Sequence, residues 1–485
     1  MVGALQRNWV AIACIVFVLA DLFLMSREFF WLNLLPVALL IAWAMFTAVD
    51  RLLIFVAFAT PLSINLEELD IGGVGIALPT EPILVGLMLL FLLKIGLERN
   101  VIDQNVWKHP ITFVVMAQLV WMLVCIIPSS MPMVSFKFFI ARLWFVTTMY
   151  LMITRLFEEP RNIHRFIWAY LAGLCVVIIY TLINHAEHGF AQDPAHWVMS
   201  PFFKDHTSYG AIIAFFIPFG LMAILMKGNT VTRRTIAFTV FIVLVLGLIF
   251  SYTRAAWLSL VGAFIVFLVM RLRIPAWSII TMLLIGGVVV LVNFDQITIA
   301  MERNREESSD DIGKHVRSIS NISSDASNLE RINRWNSAVR MWQERPIFGW
   351  GPGTYMFQYA PFQASEDLTI ISTNFGVQGN AHSEYLGPLS EQGAIGLALM
   401  VALVVITTVI TLRLYARMPR GRDRALLMAV YLGLVTYYLH GALNNFLDTD
   451  KASVPFWAFT ALVVLLDLKY PAQPKLQAST AISSR

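Results

Sequence analysis

The sequence predicts an all-α polytopic membrane protein with about fourteen transmembrane helices and one large extracytoplasmic loop, and three observations predict it. Hydrophobic residues make up 58% of the chain against 14% charged, far from the balance of a water-soluble domain. Fourteen apolar stretches approach the roughly 20 residues that a helix needs to cross a bilayer. Lys and Arg collect in alternate connections, in phase with those stretches. A formal net charge of +4 is too slight to imply a nucleic-acid partner.

The predicted spans are Trp9–Met25, Phe29–Val49, Leu52–Leu66, Glu81–Gly96, Ile111–Ile127, Phe138–Ile153, Phe166–Ile183, Ser208–Met226, Thr235–Phe250, Ala255–Met270, Pro275–Phe294, Gly393–Leu412, Ala425–Phe446 and Ala452–Leu468. The third is the weakest, because Pro61 interrupts it and Glu67, Glu68 and Asp70 follow. With Arg7 placed in the cytoplasm, cytoplasmic connections hold twenty-one of the Lys and Arg residues. The other side holds fourteen, eight of them in the long segment Asp295–Gln392, where the positive-inside rule does not apply. This asymmetry predicts two cytoplasmic termini.

Four regions follow: 1–294 with eleven helices, a periplasmic loop 295–392, helices twelve to fourteen over 393–468, and a cytoplasmic tail 469–485. The start of the chain reads as an uncleaved span, since no small-residue cleavage site precedes a soluble domain. Within the loop, residues 302–327 are rich in Ser, Asn, Asp, Glu and Arg. A helix is expected from Leu329 to Glu344, with Ile332, Trp335, Val339 and Trp342 on one face and Pro346 ending it. Gly349, Gly351 and Gly353 then force an irregular turn. That turn is read as returning the chain to the membrane, with an anion-binding backbone nest as the minor alternative.

The three cysteines, Cys14, Cys125 and Cys175, each sit in an apolar run, which excludes a disulfide framework and a thiolate metal site. A phosphate-binding GxxxxGK[ST] motif is absent from the cytoplasmic loops, so ATP hydrolysis is not the expected energy source. No cofactor and no metal are expected. His382, shortly before the twelfth span, could take a proton from a hydroxyl as a neutral imidazole; the competing reading is that His382 or Ser383 caps a short helix. Lys137, Arg142, Lys204, Arg254 and Arg331 are assigned to the same compartment and together suit a multiply charged anion such as a lipid diphosphate. Taken singly, each could simply snorkel. Glu81, Asp448 and Asp450 stand at helix ends, where ordinary anchoring explains them as well as catalysis does.

Three stretches together resemble the signature region of the O-antigen ligase and polymerase superfamily of bacterial envelope glycan enzymes. They are Arg331-Ile332-Asn333-Arg334-Trp335, Pro346-Ile347-Phe348-Gly349-Trp350-Gly351, and His382-Ser383 followed after nine residues by Gly393 and after two more by Gly396. Ser251-Tyr252-Thr253-Arg254 resembles the family's Thr/Ser-Arg turn. The resemblance covers roughly Lys204 to Leu412. It implies an inverting glycosyltransferase of the GT-C type in a bacterial inner (plasma) membrane that uses a glycan on undecaprenyl diphosphate. By that resemblance His382 would activate an acceptor hydroxyl, while Arg254 and Arg331 would hold the departing diphosphate. Ligation to lipid A-core is favoured by the motif spacing. Polymerisation of O-antigen or exopolysaccharide units and transfer to protein hydroxyls remain open, as does the more distant reading of a secondary transporter or lipid flippase.

Overall fold

The computed structural model describes residues 2–29, 31–66, 75–98, 101–226, 228–272, 326–369 and 379–472, with the single positions 274, 281 and 372. The expected span Pro275–Phe294 and most of the polar segment 302–327 lie outside the described residues. The described chain is helical: α1 Val2–Met25, α2 Leu35–Thr47, α3 Val49–Ala59 and α4 Thr80–Leu97, then α5 Pro110–Ile126, α6 Pro132–Glu158 and α7 Pro160–Glu187. After these come α8 His206–Leu225, α9 Val231–Ile249, α10 Arg254–Leu272, α11 Ala326–Glu344, α12 Leu386–Arg417, α13 Arg422–His440 and α14 Asp450–Lys469. Between α3 and α4 a two-stranded antiparallel ribbon pairs Ile64 with Leu78 and Asn65 with Ala77.

Each expected span within the described residues coincides with a helix. Eight of those helices, α4, α6 to α10, α12 and α14, are long and apolar enough to cross a membrane. The others fall short for local reasons. Pro61 follows the end of α3, which runs for 11 residues, and α13 opens on Arg422, Asp423 and Arg424.

Burial sorts the helices as their sequences dictate. From Asp450 to Val464 α14 is buried throughout, and its alternation of small Ala452, Ser453, Ala458 and Ala461 with Phe456, Trp457 and Phe459 lets α6 and α13 pack against it. Helices α9 and α10 instead leave Phe238, Leu258, Val261 and Phe264 exposed, as lipid-facing helices do. Helix α8 packs between α9 and α13, and α10 lies on α13. As a result the starts of α8, α10 and α12 and the end of α13 meet at one end of the bundle.

Candidate functional site

That end carries His382. Its backbone holds a φ of +46°, a left-handed conformation that costs a non-glycine residue and needs support from its neighbours. The support is present on both sides. The amide of His382 donates to Asn380 Oδ1 at 3.0 Å, and its carbonyl accepts from Trp335 Nε1 at 3.3 Å. Ser383 Oγ accepts from the amides of Tyr385 and Leu386 at 3.2 and 3.3 Å. The cap at the start of α12 is therefore Ser383, and His382 is not needed for it.

Helix α11 supplies the charges beside the imidazole. Its fully buried stripe is Glu330, Asn333, Arg334, Ser337, Ala338 and Met341, at helical spacing. The expected face of Ile332, Trp335, Val339 and Trp342 is only half-buried. The polar stripe is buried because its groups are paired within the loop. Arg334 Nε donates to Glu330 Oε1 at 2.6 Å and its guanidinium lies 3.8 Å from the centre of the Tyr359 ring. Ser372 and Thr369 donate to Glu330 Oε2, and Tyr355 donates its hydroxyl to the Arg334 carbonyl at 2.8 Å. Burial opposes the ionised Glu330, but the hydrogen bonds from Ser372 and Arg334 hold its carboxyl below the ordinary value.

Burial first, and then the positive charges of Arg331 and Arg334, push the His382 imidazole down to about 4, with Asp205 and Glu330 opposing in part. It is neutral at neutral pH. The charges of Arg331 and Asp205 also reach His440 at the end of α13, which engages the backbone of Ala255 at the start of α10. His440 Nε2 is 3.1 Å from Asn444 Nδ2. Thr253 Oγ1 donates to the His206 carbonyl at 2.7 Å, clamping the turn before Arg254 onto the start of α8. His382, Arg331, Asp205, His440 and the Arg254 turn are thus brought into one group from five separate parts of the chain.

The glycine-rich turn holds this group against α12. Helix α12 breaks at Gly393, where φ is +71° and ψ −169°, and the Ala394 amide donates to the Pro346 carbonyl at 2.9 Å. A Cβ on Gly393 would lie 2.1 Å from the Ile347 carbonyl oxygen, and one on Gly349, at φ +66°, 2.3 Å from the Glu391 carbonyl carbon. Only glycine permits this backbone-to-backbone approach. The amides of Trp350 and Gly351 donate to the carbonyls of Ser390 and Glu391 at 3.0 and 2.8 Å, and the Tyr355 amide donates to Glu391 Oε1 at 3.0 Å. The donors of the supposed nest are spent on α12 itself, in keeping with a structural turn.

The remaining cations have other immediate neighbours. Arg142 lines a cavity of about 140 Å³ together with Glu384, Glu391 and Asp448 and with Asn380, Ala381 and Ser383, which flank His382. Its guanidinium also lies 5.8 Å from the Phe138 ring centre and 6.0 Å from that of Trp457. Lys204 is exposed and acts on Asp448, and Lys137 is exposed near the start of α6. Arg142 therefore faces both carboxylates and the residues that flank His382. Asp450 accepts from Ser63 and Thr80, each at 2.5 Å, and so ties the start of α14 to the α3–α4 connection, while Glu81 Oε2 accepts from the Ala77 amide at 3.1 Å and braces the turn into its own helix.

Sequence reasoning missed Arg334, Glu384 and His440. Arg334 was visible within the Arg331–Trp335 motif, one helical turn after Glu330. His440 sits in an apolar run with no local signal, and Glu384 becomes meaningful only through partners far along the chain.

No curated protein matches the chain. A family match covers about a third of it, the third that contains Arg254, Arg331 and His382. Residues 239–401 match the family described as O-antigen ligase (Wzy_C), a match that supports the O-antigen ligase superfamily for this third of the chain.

Proposed function

We propose that the protein is an inverting glycosyltransferase of the GT-C type that moves a glycan from undecaprenyl diphosphate to a hydroxyl of lipid A-core. It would work in the bacterial inner membrane, with both termini cytoplasmic and His382 on the periplasmic side. The observation that carries this reading is the neutral imidazole of His382 held beside Arg331, with the Arg254 turn reaching the same group through His440. In the proposed reaction His382 accepts the proton of the acceptor hydroxyl as its oxygen attacks the anomeric carbon. The bond from that carbon to the diphosphate oxygen breaks, and the pair of electrons leaves with the diphosphate. Arg331 and Arg254 offset the charge that develops there, which is where fixed cations accelerate group transfer most. Ligation rather than polymerisation or transfer to protein is supported by the spacing from His382 to Gly393 and Gly396 and by a single arginine group beside the base.

The test is transfer by purified His382→Ala in proteoliposomes loaded with lipid-linked glycan. Loss of a general base removes ~10²- to 10⁴-fold of the rate while donor binding stays nearly intact. Equal transfer by variant and wild type would refute the assignment.

A further inference from the structure

The end of the bundle remote from His382 holds a second amphipathic cavity. Helices α8, α10 and α12 begin, and α13 ends, beside the candidate site, so the opposite ends of these four helices lie together across the bundle. There they enclose a cavity of about 650 Å³. Leu221, Phe264 and Met428 give it apolar walls, and Arg271, Arg420 and Arg424 line it at the helix ends. Arg271 and Arg420 are exposed, while Arg424 lies 4.0 Å from the Tyr415 ring centre and donates to the Met418 carbonyl at 3.3 Å. Among the described residues lining the cavity there is no carboxylate. The nearby Asp423 accepts from Lys469 at 2.7 Å and from Tyr470 at 2.9 Å.

We infer that this cavity binds one anionic phospholipid of the leaflet remote from His382, with an acyl chain between α8, α10 and α13 and its phosphate on Arg271, Arg420 and Arg424. Two features must be satisfied together. Leu221 and Phe264 are 45% and 57% exposed on the cavity walls, apolar surface that an alkyl chain covers. Three guanidinium groups at the membrane edge need an anion, and phosphate oxygens match their paired donors. A free phosphate would leave the walls uncovered, and a zwitterionic headgroup would leave the arginines' charge unbalanced. The inference rests on the membrane-spanning fold and not on the proposed transfer reaction.

The full-length protein, purified in detergent, should be titrated with phosphatidylglycerol and separately with phosphatidylcholine, and lipid retention read by native mass spectrometry. Phosphatidylglycerol should be retained in preference. Arg271→Gln and Arg420→Gln should each weaken it roughly fivefold, the usual contribution of one basic residue near an anionic membrane surface. Ala425→Trp, which fills the cavity without altering charge, should reduce retention as well. Equal retention of the two lipids, or phosphatidylglycerol retention unaffected by all three substitutions, would overturn the inference. So would displacement of the lipid by inorganic phosphate alone, or a photoreactive group at position 264 that joins to residues 275–294 instead of to lipid.

Discussion

The phenol of Tyr437 donates to Glu384 Oε1 at 2.6 Å, and the amides of Phe446 and Leu447 converge on the same oxygen at 2.7 and 2.9 Å. The Glu384 amide in turn donates to the Gly441 carbonyl at 2.7 Å. One side chain, two residues after His382, thus fastens the His382 loop to the connection between α13 and α14. Burial raises the Glu384 carboxyl, and these donors together with Arg142 offset part of that rise. Glu384→Ala would strand three buried donors and should cost about 3 kcal/mol or more, read as a large fall in thermal stability. Glu384→Gln keeps an acceptor oxygen in place and should lose far less. Equal losses for the two would show that charge, not the acceptor, holds the loop.

The pH dependence of transfer follows from the burial of His382 and then from the charges beside it. Its imidazole is depressed to about 4, so the free enzyme holds the neutral, proton-accepting form well below the ordinary histidine value. The acid limb of kcat/KM, which reports free enzyme, should therefore be missing at pH 6.5 and emerge only near pH 4 to 5. A bound diphosphate would cancel part of the field of Arg331 and Arg334 and raise the imidazole. The acid limb of kcat should then lie at higher pH than that of kcat/KM. Coincident limbs near pH 6.5 in both profiles would mean that the arginines do not act on the base.

What the sequence made legible is what local pattern encodes. Apolar length located every described span, and Pro346 with Gly349 located the turn after α11. His382 and Arg331 emerged from short motifs. The environment of Arg142 did not, because Glu384, Glu391 and Asp448 come from distant parts of the chain. The buried stripe of α11 was also misjudged from hydropathy. Paired Glu330 and Arg334 can be buried once Ser372, Thr369 and Tyr359 surround them, and no composition rule anticipates that pairing.

Gly393 and Gly349 should be the least replaceable glycines described. Each combines a positive φ with backbone atoms 2.1 to 2.3 Å from where a Cβ would lie. Alanine at either site should lower folded yield and thermal stability sharply, since neither strain nor clash can relax into a flexible side chain. Gly96→Ala is the matched control, with nothing within 4 Å and no positive φ, and should be neutral or slightly stabilising. Tolerance of Gly393→Ala would mean that the break in α12 is not required.

For Arg331 and Arg254 the useful comparison is lysine against alanine. Alanine at either position should weaken engagement of the diphosphate donor, while lysine restores charge but not the paired donors of a guanidinium and should rescue only partly. Arg142 should behave differently. Its neighbours Glu384, Glu391 and Asp448 repel a diphosphate, so Arg142→Ala should disturb stability more than donor affinity. Full rescue by lysine at both Arg331 and Arg254 would reduce these residues to simple charge.

Ligation and polymerisation differ in how many lipid diphosphates the protein must hold at once. A polymerase needs two, one for the growing chain and one for the incoming unit. A ligase needs one, together with room for an acceptor whose lipid stays in the membrane. The charges of Arg331 and Arg334 act on His382, and Arg331 also reaches His440 beside the Arg254 turn, in keeping with a single diphosphate anchor. Arg334 is already paired with Glu330, and Arg142 shares its cavity with three carboxylates, so neither provides a second anchor of comparable strength. A deletion strain should then keep long glycan on its lipid carrier and fail to attach it to lipid A-core, seen as polymer that is released by mild acid and absent from mature lipopolysaccharide. Accumulation of single repeat units on the carrier would identify a polymerase instead, and would require a second diphosphate site outside the described residues.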